Sequence, residues 1–138
     1  MAGALLSFLI GNGDMHLNNW ALLIDGNRVA LSPCYDFVSS RILFPDEPDS
    51  ALAINGRKDR LERSDFDALV SALQIDPKAA ANSFEKLRGA RETLRRMASE
   101  CELSDKLRHD LENVIVTRHQ RLFEGPRPPR RSGHPGRS

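Results

Sequence analysis

The chain has 138 residues, 40% of them hydrophobic and 28% charged, with a net charge of +1. That is the profile of one ordinary soluble domain or part of a larger one, and it gives no ground for wholesale nucleic-acid or membrane binding. All nineteen acidic residues lie within 1–124 with sixteen of the twenty Lys and Arg, so that stretch carries −3 and the last fourteen residues +4.

The opening residues 2–10 are apolar (Leu5, Leu6, Phe8, Leu9, Ile10) and read as the last turns of a buried helix stopped by Gly11. No Lys or Arg precedes them and the run is too short to span a bilayer, which argues against a signal peptide or membrane anchor. A polar loop follows at 11–19. Trp20 to Ile24 and Arg28 to Leu31 are short β-prone runs around Asp25-Gly26-Asn27, a strong hairpin signal. Pro33 breaks the pattern, with Tyr35 to Ser40 irregular or starting a short helix. Residues 45–49 (Pro-Asp-Glu-Pro-Asp) read as a solvated loop, and Ala51 to Ile54 with Asn55-Gly56 as one more short strand and turn.

From Ser64 the pattern becomes helical. Ser64 is the expected cap of a helix carrying Phe66, Leu69, Val70 and Leu73 on one face, with Asp67 completing a capping box. Asp76-Pro77 predicts a helix start that runs to about Ser99, with Phe84, Leu87 and Leu94 inward. Ser104 should cap another, with Leu107, Leu111, Val114, Ile115 and Leu122 on its buried stripe. Residues 125–138 contain only Gly, Pro, Arg, Ser and one His, and read as a disordered tail, since they offer too little apolar surface to offset the entropy of ordering. Cys34 and Cys101 lack any CxxC or CxxH spacing, so reduced thiols in a cytosolic protein are the plain reading.

Two segments carry chemistry. Gly-Asn-Gly-Asp-Met-His-Leu-Asn-Asn at 11–19 sets Asp14 in a Gly-flanked turn, with Asn19 five positions later. Ser-Pro-Cys-Tyr-Asp-Phe at 32–37 adds Asp36 after an aromatic residue. A carboxylate to accept a proton, plus hard oxygen ligands for Mg²⁺, suits phosphoryl transfer from Mg-ATP. The Asp14-to-Asn19 spacing is that of Asp and Asn in protein-kinase catalytic loops. Taken singly, Asp14 and Asn19 are also ordinary turn residues.

These two linked motifs, the second taken as Leu-Ser-Pro-Cys-Tyr-Asp-Phe-Val-Ser-Ser at 31–40, resemble the C-terminal catalytic lobe of HipA-like toxin kinases, the Ser/Thr protein kinases of type II toxin–antitoxin modules. The likeness extends through Ala51 to Lys58, Leu61 and Asp65-Phe66 and covers about residues 4–120. The resemblance implies a mainly α fold with a small β-hairpin, the C-lobe of a protein-kinase-like architecture without its N-lobe. The lobe would occupy 1–124, with a catalytic loop at 11–19, a metal-binding segment at 32–38 and a helical body at 64–123. By the same resemblance Asp14 is the general base, Asn19 and Asp36 are Mg²⁺ ligands, and His16, Asn18, Asn19, Tyr35 and Asp36 face ATP. His16 could equally hydrogen-bond the loop backbone. Tyr35 and Phe37 suit packing against the helices better than holding adenine, and Trp20 suits the core. The basic run Arg57, Lys58, Arg60 and Arg63 reads as a solvated face.

The chain departs from the family at Asn18, where Lys is usual. An amide supplies no charge, and losing a transition-state cation commonly costs on the order of 10²–10³ in rate; Arg41 is a neighbour that could compensate. Thirteen residues before Asp14 leave no room for an N-lobe with its phosphate-covering loop and ATP-pairing Lys, and no GxGxxG or Walker motif follows. The expectation is a cytoplasmic kinase lobe completed by another chain. Its implied partners are an HTH antitoxin and a protein substrate such as an aminoacyl-tRNA synthetase. The alternatives are a non-catalytic module that binds the antitoxin or the kinase target, and a gene remnant without a role.

Overall fold

A computed structural model of the chain describes residues 1–32 and 38–125. Five α-helices and one antiparallel hairpin make it mostly helical: α1 (Ala2–Ile10), β1 (Leu22–Asp25), β2 (Arg28–Leu31), α2 (Arg63–Ala72), α3 (Pro77–Gly89), α4 (Arg91–Glu100) and α5 (Asp105–Phe123). Short 3₁₀ turns occupy Leu17–Asn19 and Ser40–Ile42. The expected tail from 126 onward, and Cys34, Tyr35, Asp36 and Phe37, lie outside the described residues. Cys101 is a free, exposed thiol.

Helix α1 is apolar nearly all round because it runs through the centre, packed against α5 and α3. Leu5 and Leu9 are wholly buried and Phe8 is 2% exposed. Phe8 meets Phe66 of α2 edge-on with ring centroids 5.3 Å apart, and Leu61, Phe84, Leu87 and Leu122 close the cluster. Each such side chain stabilises the fold by roughly 1.5–3 kcal/mol relative to exposure. Pro77 starts α3 with Asp76 as its cap, the Asp76 carboxylate accepting from Ala79 N–H at 2.8 Å. Ser104 caps α5 by accepting from Leu107 N–H at 3.4 Å.

Several expectations are corrected. The helix expected from Asp76 to Ser99 is two, α3 and α4, meeting at Ala90 directly after Gly89. A helix-interior Gly is worth about 1 kcal/mol less than Ala, and the change of direction there lets α4 lie along α5. The α2 cap is Glu62 rather than Ser64: Asp65 reaches back to Glu62 N–H at 2.9 Å, while Asp67 pairs with Arg63 at 2.9 Å on the surface. Leu73 lies past the helix end and is 62% exposed. Ala51–Ile54 is no strand. Ile54 makes an isolated bridge with Arg57 across a tight turn, with Asn55 at φ 52° and Gly56 at φ 73°. The basic run is solvated as expected, with Arg57 3.6 Å from Asp65 and the Arg63 guanidinium stacked 3.6 Å over Phe84.

The largest correction concerns 45–49. Pro45, Asp46 and Pro48 are exposed, but Asp49 is 2% exposed. Its Oδ1 lies 2.9 Å from Arg118 Nη2, and its Oδ2 lies 2.5 Å from Arg121 Nη1 and accepts Leu61 N–H at 3.0 Å. Arg118 is itself 3% exposed and donates through Nη1 to the Phe8 carbonyl at 2.8 Å. Burial lowers the Arg118 guanidinium to about 10, against the attraction of Asp49, and it stays charged at neutral pH. Also on α5, His119 donates from Nε2 to the Arg88 carbonyl at 2.9 Å, tying down the end of α3.

The hairpin pairs Leu22 with Leu31, Leu23 with Ala30, Ile24 with Val29 and Asp25 with Arg28, turning through Gly26 at φ 56°. All eight of its residues are exposed, including Leu22, Leu23, Ile24, Val29 and Leu31. No helix of the described residues is long and apolar enough to cross a membrane.

Two stability measurements follow from these buried carboxylates. Asp49→Ala leaves Arg118 buried without its counter-charge and should lower the unfolding free energy by about 3–5 kcal/mol in urea titration; a loss below about 1 kcal/mol would contradict the network's role. At Asp65, burial raises the pKa, but hydrogen bonds from Asn55 and Glu62 N–H and the charge of Arg57 outweigh it and hold it below the usual 3.8. The folded state thus binds this proton less tightly than the unfolded state. The stability gap between wild type and Asp65→Asn should be complete above about pH 5 and shrink as pH falls through the range below 3.8.

Candidate active site

The loop that follows α1 is fixed by its backbone. Gly11 ends the helix at φ 76°, with its N–H on the Phe8 carbonyl and Asn12 N–H on the Ser7 carbonyl at 2.8 Å, a Schellman-type closure. A Cβ at Gly11 would lie 2.8 Å from Val114 Cγ1 and 2.9 Å from Arg41 Cβ, so space as well as conformation calls for glycine there. Gly13 N–H donates to Ser40 Oγ at 3.1 Å, and Ser40 Oγ donates to Glu47 Oε2 at 2.5 Å. Asn12 and Met15 are buried, and Asp14 and His16 alternate with them to the outside. The buried residues of this loop anchor it, and Asp14 and His16 face outward to solvent.

Asp14 Oδ1 lies 2.9 Å from His16 Nε2, with their side chains 66% and 58% exposed. A polar contact this exposed contributes at most about 1 kcal/mol to the fold, and it sets the carboxylate beside the imidazole. His16 N–H is shared between the Asp14 carbonyl at 2.9 Å and Asn19 Oδ1 at 3.0 Å. Asn19 N–H returns to the His16 carbonyl at 3.1 Å. This exchange closes the 3₁₀ turn at Leu17–Asn19 and holds Asn19 within one turn of Asp14. Asn18 is exposed on the same turn, and Trp20 is half-buried rather than core. Trp20 lines a cavity of about 230 Å³ with Phe8, Asn12, Met15 and Leu52.

The first motif therefore brings Asp14, His16 and Asn19 together, with Asn18 beside them. Tyr35 and Asp36 lie outside the described residues. Among the described residues no group of three or more His, Cys, Asp or Glu could hold a metal ion. The oxygens in place are of the hard type that Mg²⁺ prefers. Asn19 Oδ1 accepts from His16 N–H at 3.0 Å. Arg41, the neighbour of interest for Asn18, donates its guanidinium to the Glu47 carbonyl and its backbone N–H to the Gly11 carbonyl at 3.0 Å.

Sequence reasoning missed Ser40 and Glu47 as the residues that seat the loop. Ser40 closes the second motif, but nothing in its spacing marks it as the partner of Gly13.

The family model for the HipA-like C-terminal domain matches residues 1–102, and the chain belongs to that family. It is a domain of a kinase family. The chain is also 34% identical over 119 residues to a Sinorhizobium fredii protein named "Putative kinase Y4dM", covering 86% of this chain and 23% of that protein. The chain thus spans about a quarter of the length of the curated relative it matches.

Gly13→Ala tests the seating of the loop. The new Cβ would lie 2.5 Å from the Pro48 carbonyl and 2.6 Å from Glu47 Oε2. Overpacking of this kind costs about 1–3 kcal/mol, so thermal unfolding should shift down, with faster amide exchange at residue 13. An unchanged melting temperature would show that the two segments are not in firm contact.

Proposed function

We propose that this chain is the C-terminal lobe of a Ser/Thr protein kinase with a protein-kinase-like architecture. Completed by an N-lobe, it would transfer the ATP γ-phosphoryl group to a protein hydroxyl. Membership of the HipA-like family and the kinase name of its relative support the reaction class. The observation that carries the reading is the exposed Asp14 carboxylate, oriented by His16 at 2.9 Å on a loop anchored from beneath.

In this reading Asp14 accepts the proton of the attacking Ser or Thr hydroxyl while His16 holds the carboxylate in place. Asn19 and Asp36 would hold Mg²⁺, with Asn18 and Tyr35 beside the nucleotide. Mg-ATP, when bound, supplies the transferable phosphoryl group and the metal charge that screens it. Asn18 brings an amide where the family usually brings a cation, so the phosphoryl charge must be met by the metal or by a neighbouring side chain. The protein substrate would be a translation factor such as an aminoacyl-tRNA synthetase, with an HTH antitoxin as regulator, in the cytoplasm.

A second reading is a non-catalytic module that binds the antitoxin or the kinase target. The hairpin favours it. Five large apolar side chains on a two-stranded sheet are exposed by 53–75%, and apolar surface of that kind marks interaction sites.

The experiment is Mg-ATP binding by calorimetry, with wild type beside Asp36→Ala and Asp14→Asn. The kinase reading expects saturable binding that is lost in Asp36→Ala and kept in Asp14→Asn. When the chain is supplied with its N-lobe, Asp14→Asn should reduce phosphoryl transfer by about 10²–10⁴-fold. Binding that is absent with the N-lobe present, or indifferent to Asp36, would leave the interaction module as the account of this domain.

A further inference from the structure

A second charged constellation lies between α5 and the segment that seats the loop. Arg41, Asn113, Val114, Thr117, Arg118 and Arg121 line a cavity of about 200 Å³. A neighbouring cavity of about 400 Å³ shares Arg41, Asn113 and Val114 and adds Lys106 and Asp110. Lys106 and Asp110 neutralise each other at 2.9 Å. The three arginines are not neutralised in this way. Asp49 contacts Arg118 and Arg121, whereas the Arg41 guanidinium meets the uncharged Glu47 carbonyl. Among the described residues, Asp49 is the one carboxylate within ion-pair distance of the three.

Crowding of like charge shows in the Arg118 guanidinium. Burial lowers its pKa most, Asp49 opposes, and Arg121 and Arg41 each lower it further, with Asp59 acting weakly the other way. Arg118 and Arg121 share the one contacting carboxylate of Asp49 and Arg41 contacts none, so these contacts leave an excess of two positive charges. A planar carboxylate matches a single arginine fork and would neutralise one of them. A phosphoryl group carries close to two negative charges and spreads acceptor oxygens in several directions, suited to guanidinium groups converging from different elements.

We propose that Arg41, Arg118 and Arg121, with the Thr117 hydroxyl and the Asn113 amide at the rim, form a binding site for a dianionic phosphoryl group. The group is either inorganic phosphate or a phosphorylated Ser or Thr side chain, which present the same chemistry. Occupancy is linked to the candidate active site through Arg41, whose N–H holds the Gly11 carbonyl at the root of the loop that carries Asp14. The site stands on its own cluster and does not depend on the Mg-ATP reading.

The test is titration of the full chain by NMR, without Mg²⁺ or nucleotide, using inorganic phosphate and O-phosphoserine at constant ionic strength. Acetate serves as the planar control. Saturable shifts in Gly11, Arg41 and Thr117 amides are expected with phosphate and not with acetate. Arg41→Gln, which keeps a donor for the Glu47 carbonyl, should weaken binding about tenfold. Thr117→Val at the exposed rim should weaken it about threefold, and this variant decides the question if Arg41→Gln unfolds. Tighter binding of phosphoserine than phosphate would assign a phosphorylated side chain, and equal binding free phosphate. Shifts that do not saturate, equal responses to acetate, or a folded variant binding as well as wild type would overturn the site.

Discussion

The carboxylate of Asp49 is the constraint on which the arrangement around the candidate site depends. It is buried with Arg118, pairs with Arg121 and takes the Leu61 N–H, so α5 and the segment leading into α2 both meet on one side chain. Arg118 passes the constraint to the end of α1 by donating to the Phe8 carbonyl, one of the last four of that helix, which lack partners within it. A cation is favoured there by the helix dipole as well. The Gly11 turn begins three residues later, and the loop bearing Asp14 leaves from it. The position of the candidate catalytic carboxylate is thus set by a buried charge network on its inner side, while its outer side faces solvent.

Buried ion pairs are not in general a source of net stability, since desolvation offsets most of the attraction. What this one supplies is direction. Arg118 and Arg121, three residues apart on one face of α5, reach Asp49 together, which the apolar cluster of Leu5, Phe8, Leu9 and Phe66 by itself does not require. The same helix brings Val114 against Gly11, where a side chain larger than hydrogen would not fit. Ser40 and Glu47 complete the seat beneath Gly13.

Much of the helical framework was legible in the sequence because its signals are local. Gly11 after an apolar run, Asp76-Pro77, Ser104 and Asp25-Gly26-Asn27 each specify a backbone conformation by their own chemistry, and each structural element begins, ends or turns there. The Asp14–Asn19 spacing was likewise readable, and in the structure the Asp14 carbonyl and Asn19 Oδ1 both accept from His16 N–H. The tertiary partners were not legible. Asp49 stands among prolines and acids that read as solvent-exposed, and Arg118 and His119 interrupt the apolar stripe of α5 where only the fold reveals their partners. The junction at Gly89-Ala90 was masked by strong helix formers on both sides. The hairpin was found, but its exposure on both faces has no signature in the apolar runs Leu22-Leu23-Ile24 and Val29-Ala30-Leu31.

In the proposed kinase reading, Asn19 and Asp36 would hold Mg²⁺ against the nucleotide, with Asp14 on the same loop as Asn19 as the general base beside them. The most direct measurement replaces Mg²⁺ with Mn²⁺ in the presence of ATP and records paramagnetic broadening of backbone amides in the chain joined to its N-lobe. A metal held by Asn19 and Asp36 predicts loss of signal concentrated at residues 14–19 and 34–38, dependent on ATP. Broadening scattered over surface carboxylates such as Asp46, Glu92 and Glu102, or unaffected by ATP, would contradict it.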